Sequence, residues 1–234
     1  MSDGKVCIYH ISELFLYEYY CQPGDYYEVD PEDKVTPLLQ KAAEEEKRGG
    51  LMGALQCYEK AHELNPVSTT IYYRIIDGYY RLGNHAMVKR YTDEVYPYCA
   101  TRAELAAYYR WLGWYYLEEY QPELSEALYR YSTLFDQSAQ AENEIHYLET
   151  ALGRKMPDYS AKELQEQLSN AEIPVAANSV TLALIYRAGE EALQRANIRQ
   201  ALDCYEMVYD LTADREVGEK IAEMVTHSRE DERL

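Results

Sequence analysis

One pattern constrains this chain more than any other, because it returns. Gly49 to Pro66 reads GGLMGALQCYEKAHELNP, a turn, an amphipathic helix and a stop. Ala54, Tyr58 and Ala61 fall on one helical face at i, i+4 and i+7, with Leu51 and Leu55 beside them. Asn65-Pro66 ends the helix, since proline lacks the N–H that would continue it and restricts the residue before it. Gly83 follows Gly49 by 34 positions and opens a second copy, YRLGNHAMVKRYTDEVYP.

The copies align position by position. The small residue Ala54 recurs as Val88, Ala127 and Ala201. Tyr58 recurs as Tyr131 and Tyr205, with Thr92 in the second copy and Tyr91 next to it. Ala61 recurs as Val95, Leu134 and Val208. Upstream of each lies another helix, marked by Tyr72, Ile75, Ile76 and Tyr79, then by Tyr109, Leu112, Gly113 and Tyr116, then by Ile185, Ala188, Gly189 and Ala192. A large residue, a small one at the helix contact and an aromatic is what close antiparallel packing needs. Two helices per copy at a period near 34 indicate a helical solenoid.

These residues resemble tetratricopeptide (TPR) repeats, whose pattern is Trp, Leu-Gly and Tyr on the first helix and Ala, Phe or Tyr, Ala and Pro on the second. Leu112, Gly113 and Tyr116 match the first half, and Ala54, Tyr58, Ala61 and Pro66 the second. Copy one has Ala42 for the glycine and Glu45 for the tyrosine, and copy two has Ile76 for the glycine. The resemblance implies an all-α fold, a right-handed superhelical solenoid of antiparallel helix pairs with about five repeats and a C-terminal capping helix. The copies are expected at residues 35–66, 67–100, 101–136 and 178–213. Ala127 and Ala201 stand 74 positions apart, which leaves room for a divergent copy at 138–172. Its candidate helices are 138–152 and 160–171, the second opened by a capping box of Ser160 and Glu163. Thr101 and Glu104 form another capping box, and Pro122 suits a first helical position. A capping helix is expected over 214–228, with SREDERL as a frayed tail.

Residues 1–34 differ from the repeats. They hold eight acids against Lys5 and Lys34, the run LFLYEYYCQPGDYYEVDP, and a turn signal at Pro23-Gly24-Asp25. The flanking runs read either as short strands or, the favoured reading, as a helix near 10–20 and then an extended arm on the first repeat, a segment that would cap the array. Any sheet is expected to be no larger than a hairpin and confined to this end.

Charge and cysteine usage narrow the function. A net charge of −18 argues against nucleic acid, whose phosphates need clustered Lys and Arg, and against anionic membranes. No apolar run marks a signal peptide or a membrane span. Cys7, Cys21, Cys57, Cys99 and Cys204 are scattered and odd in number, as expected of free thiols in a reducing cytoplasm. The chain holds 26 tyrosines against two phenylalanines. Tyrosine buries a ring while keeping its hydroxyl wet, which suits helices lining a groove.

No hydrolase, phosphate-loop or dinucleotide motif is present, so neither catalysis nor a cofactor is expected. Glu142 and His146 share a helical face but lack a third ligand, so an ion pair is the plainer reading than a metal site. Glu44-Glu45-Glu46 and Glu118-Glu119 read as solvated faces, and Cys57 and Cys204 as buried small hydrophobes.

By the resemblance, first helices line a concave peptide-binding groove. Its residues here would be Tyr73, Asp77, Tyr80 and Arg81, then Arg110, Trp114 and Leu117, then Tyr186, Glu190 and Leu193. Where some relatives clamp a peptide carboxylate with Lys and Asn, this chain has Tyr73, Asp77, Arg110 and Trp114. The function implied is a non-enzymatic scaffold that binds a peptide or protein segment. The alternative is a small acidic chaperone or a sensor of signalling peptides.

Overall fold

The computed structural model describes residues 4–24, 27–137 and 139–231. In chain order the elements are β1 (Lys5–Val6), α1 (Ile11–Leu16), β2 (Glu28–Val29), α2 (Val35–Lys47), α3 (Leu51–Leu64), α4 (Thr69–Arg81) and α5 (His85–Val95). They continue as α6 (Arg102–Glu118), α7 (Pro122–Ser132), α8 (Ala139–Leu152), α9 (Ala161–Asn170), α10 (Ser179–Gln194), α11 (Ile198–Thr212) and α12 (Arg215–Asp231). Short turns join helices that pack on each other, α2 on α3, α6 on α7 and α10 on α11. The fold is all-α and built of repeated helix pairs.

The repeat positions are the core. Ala54, Val88, Ala127 and Ala201 are buried, as are Tyr58, Thr92, Tyr131 and Tyr205. Tyr109, Leu112, Ile185 and Ala188 are buried on the first helices of their pairs. A Cβ built on Gly113 would lie 3.3 Å from the Tyr129 ring, so the small residue sets how closely α6 approaches α7. Leu134 departs from the pattern. It lies beyond the end of α7 and is 43% exposed, while Phe135 packs its ring against Tyr109 and Tyr131.

Six helices among the described residues stop by the same device. In each, two successive N–H groups fold back onto the last turn, as in Gly83 N–H to Tyr80 and Asn84 N–H to Tyr79. The residue between helix and return must be left-handed. Gly49 (φ 77°) and Gly83 (φ 68°) adopt this freely, whereas Tyr120 and Ala196, both at φ 57°, occupy it with a side chain. The helix starts follow local chemistry. Thr101 with Glu104 and Ser160 with Glu163 form complete capping boxes, and Pro122 is the first residue of α7.

The chain divides into two compact units, residues 1–74 with 178–234, and residues 75–177. In the first, β1 and β2 pair in parallel, Lys5 opposite Glu28. The sheet has the two strands and the N-terminal place that set the expected limit, but its strands run parallel rather than as a hairpin. The helical segment between the strands, α1 and a π-helical turn at Tyr17–Cys21, supplies the crossover that parallel pairing needs. The same arm reaches two repeats. The Cys7 N–H donates to Leu64 of α3 and Asn65 donates to Glu13. α1 packs on α10, with Tyr20 and Thr181 hydroxyls 2.8 Å apart and Arg187 over the Phe15 ring. At the other end α12 packs on α11 and runs to Asp231, past the expected stop at 228, so 228–231 are helical rather than frayed. Residues 232–234, Asp25 of the expected turn and Ser138 of the expected helix start lie outside the described residues.

In the second unit α6 packs on both α5 and α7, and α7 on α8 and α9. Glu126 of α7 is buried and pairs at 2.7 Å with Arg154, which follows α8. No helix among the described residues is long and apolar enough to cross a membrane.

Candidate functional site

The second unit gathers aromatic rings on one surface. Tyr80, near the end of α4, meets Trp111 and Trp114 of α6 edge-on, with centroids 5.5 and 5.1 Å apart. His85, first residue of α5, lies edge-on to Trp114 at 5.0 Å, and its Nε2 is 3.8 Å from Glu118. Edge-to-face contact is the arrangement that aromatic quadrupoles favour, so each ring holds the next. Trp114 is half-buried because its other side packs on a cluster of Tyr129, Ile145, Leu148 and Met156. Tyr80 is 43% exposed, and Tyr147 on α8 is 67% exposed. Burial pushes the Tyr129 hydroxyl above the usual tyrosine range, and the charge of Glu144 adds to the shift. The cluster therefore joins α6, α7 and α8 beneath Trp114.

The arginines expected in the groove are already paired. Arg81 lies 3.5 Å from Asp77, one turn back on α4. Arg110 has a side chain only 12% exposed and sits 3.4 Å from Asp136. The surface around Tyr80 and Trp114 thus carries little uncompensated positive charge.

Leu117 packs beside Trp114 against the same cluster, and the remaining expected residues lie in the first unit. Tyr73 is half-buried on the first half of α4. Tyr186 and Glu190 of α10 are engaged by Lys220 of α12, whose Nζ lies 3.1 Å from the Tyr186 hydroxyl and 3.3 Å from Glu190. The same ammonium lies over the rings of Tyr186 and Tyr205, at 4.8 and 4.6 Å from their centroids. Desolvation, the largest single influence, lowers the Lys220 pKa, but the hydrogen bonds it donates to Tyr186 and Glu190 and its contact with Tyr205 together raise it above the usual lysine value. Leu193 is at the margin of exposure.

Sequence reasoning missed Trp111, His85 and Tyr147. Trp111 stands three positions before Trp114, so helical spacing alone would have placed both on adjoining faces. Nothing in the sequence indicates that α8 comes alongside. Glu142 and His146 are both exposed on α8, and no group of three or more His, Cys, Asp or Glu among the described residues could hold a metal.

No protein-family model and no curated protein sequence matches this chain. It is similar in structure to the first TPR of Spaghetti (RPAP3) bound to HSP90 peptide SRMEEVD, at 20% identity and a TM-score of 0.44 over 51% of this chain and 94% of that one. It is also similar to YrrB, a TPR protein with an unusual peptide-binding site, at 17% identity and a TM-score of 0.41 over 81% and 92%. A third is the APC/C hetero-tetramer Cut9-Hcn1, at 13% identity and a TM-score of 0.45 over 93% of this chain and 39% of that one.

Proposed function

We propose that this helix-pair array, whose sequence resembles the tetratricopeptide repeats, is a non-enzymatic interaction module that anchors a protein segment on the aromatic surface of residues 75–177. The observation that carries this reading is Tyr80 exposed while wedged edge-on against two tryptophans. Rings already locked in place lose little freedom on binding, and the few residues that dominate affinity at protein interfaces are enriched in Tyr and Trp. With Arg81 and Arg110 neutralised by Asp77 and Asp136, the anchor is an aliphatic or aromatic side chain rather than a carboxylate. The net charge of −18 favours a partner that is neither strongly acidic nor nucleic acid, in keeping with a cytoplasmic scaffold. Affinity capture from the native host with wild-type, Tyr80→Ala and Tyr120→Ala chains tests the reading. A partner retained by wild type and by Tyr120→Ala but lost by Tyr80→Ala supports it. A partner set that Tyr80→Ala leaves intact refutes it, and a broad spread of unfolded clients points to the chaperone alternative.

A further inference from the structure

The second unit also holds a stretch of its own chain the way a receptor holds a peptide. After α9, Glu172 turns left-handed at φ 58°, and the Ile173 N–H closes the helix on Leu168. Pro174 then bars further helix, and residues 173–177 run without regular structure to the start of α10. Three successive carbonyls of this strap each receive one tyrosine hydroxyl. Tyr109 of α6 donates to Pro174 at 2.9 Å, Tyr131 of α7 to Val175 at 2.5 Å, and Tyr96, after α5, to Ala176 at 3.0 Å. Gln165 of α9 donates in turn to the Tyr131 hydroxyl at 3.4 Å. Ile173 is buried, whereas Ala176 is exposed.

These donors come from three elements and read backbone, not side chains. They are also costly to abandon. Tyr109 and Tyr131 are buried, and a buried hydroxyl stripped of its acceptor pays its full desolvation penalty. The strap can therefore leave only if other carbonyls take its place. Room exists on both sides of it. A hollow of about 350 Å³ lies against Ile173 and Pro174, lined also by Tyr108, Tyr116 and the Lys89–Asp93 pair. Another of about 560 Å³ lies between Val175 and α9.

We infer that Tyr96, Tyr109 and Tyr131 form a backbone-reading channel for an extended, uncharged protein segment of the aliphatic–Pro–small type, occupied in cis by residues 173–177. The seated strap defines the occupant: a buried aliphatic anchor, a proline that keeps the segment extended, and carbonyls on the proline and the two uncharged residues after it that accept from the tyrosines. The cis copy competes at the high effective concentration of a tethered segment, so a partner in trans gains access as the strap weakens. This site is independent of the Tyr80 and Trp114 surface.

The test uses the full-length chain and a fluorescein-labelled peptide of residues 171–178, read by fluorescence polarisation. Wild type should bind weakly. Pro174→Gly, which frees the strap's backbone, should bind about tenfold tighter. Ile173→Ala, which removes the anchor, should act in the same direction. Adding Tyr109→Phe and Tyr131→Phe to Pro174→Gly keeps both rings but removes two donors, and should weaken binding by tenfold or more. Tyr80→Ala should leave peptide binding unchanged. The proposal is overturned if neither weakened strap increases binding in a folded chain, if the Phe changes have no effect, or if a peptide with its proline moved binds equally well. In the intact chain Tyr109→Phe with Tyr131→Phe should also speed elastase cleavage after Val175 or Ala176. An unchanged cleavage rate counts against it too.

Discussion

Replacing Gly113 by leucine tests the packing argument at its tightest point. The glycine faces Tyr129, whose ring carbons would lie 3.3 to 3.4 Å from an added Cβ. That spacing leaves no room for three further carbons. Tyr129 cannot swing aside freely, because it packs with Ile145, Leu148 and Met156. The Gly113 carbonyl also accepts the buried Ser125 hydroxyl at 2.7 Å, so pushing α6 from α7 strains that bond. Overpacking costs about 1 to 3 kcal/mol, and a weakened buried hydrogen bond about 1 kcal/mol. Leucine recovers roughly 0.8 kcal/mol in helix propensity over glycine. The net expected for Gly113→Leu is a loss of about 2 kcal/mol, read as a lower urea midpoint with an unchanged slope. Gly113→Ala should fall near zero, because its propensity gain offsets one tight contact. Glu119→Ala, at an exposed site, should stay within about 0.5 kcal/mol of wild type. A Gly113→Leu chain as stable as wild type would refute the assigned contact between α6 and α7.

Three further outcomes are expected. Tyr120→Gly should stabilise the chain by about 1 kcal/mol in the same denaturation assay, because Tyr120 is 94% exposed yet holds the left-handed turn position that glycine takes at residue 83. Under native conditions a thiol reagent should modify Cys21 first, since Cys7, Cys57, Cys99 and Cys204 are buried and burial pushes the Cys204 thiol up to about 12; simultaneous reaction of all five would contradict this core. Asp33 should titrate by NMR near 2, held down by hydrogen bonds from Thr36 and from the Tyr9 hydroxyl. A carboxylate depressed in the folded state stabilises the fold above its unfolded value and loses that contribution as pH falls toward 2, so Tyr9→Phe should raise the Asp33 midpoint.

The helix pairs were legible because their signal is steric and local. Ala54, Tyr58, Leu112 and Gly113 are set by what a neighbouring helix can tolerate, and that neighbour lies a short turn away in sequence. The candidate surface was only half legible. Spacing places Tyr80 and Trp114 on first helices, but it cannot show that α8 covers one side of Trp114, because the divergent copy lacks the repeat's marks. Nor does it show that Arg110 spends its charge on Asp136, 26 positions later. Lys220 likewise comes from a helix that sequence reads only as a solvating cap, yet it fills the space between Tyr186, Tyr205 and Glu190. The tyrosine excess found part of its explanation only in three dimensions. The hydroxyls of Tyr96, Tyr109 and Tyr131 serve a strap up to 80 positions away.

Site-specific photo-crosslinking in the native host tests the central claim most directly. A benzophenone amino acid would replace Tyr80, Tyr147 or, as a control, the exposed Met52 of the first unit. The account predicts that the Tyr80 and Tyr147 positions capture the same protein, and that the capture is lost when Trp114→Ala is added to a chain that remains folded. Capture of that protein equally from the Met52 position, or no capture from Tyr80, would contradict it.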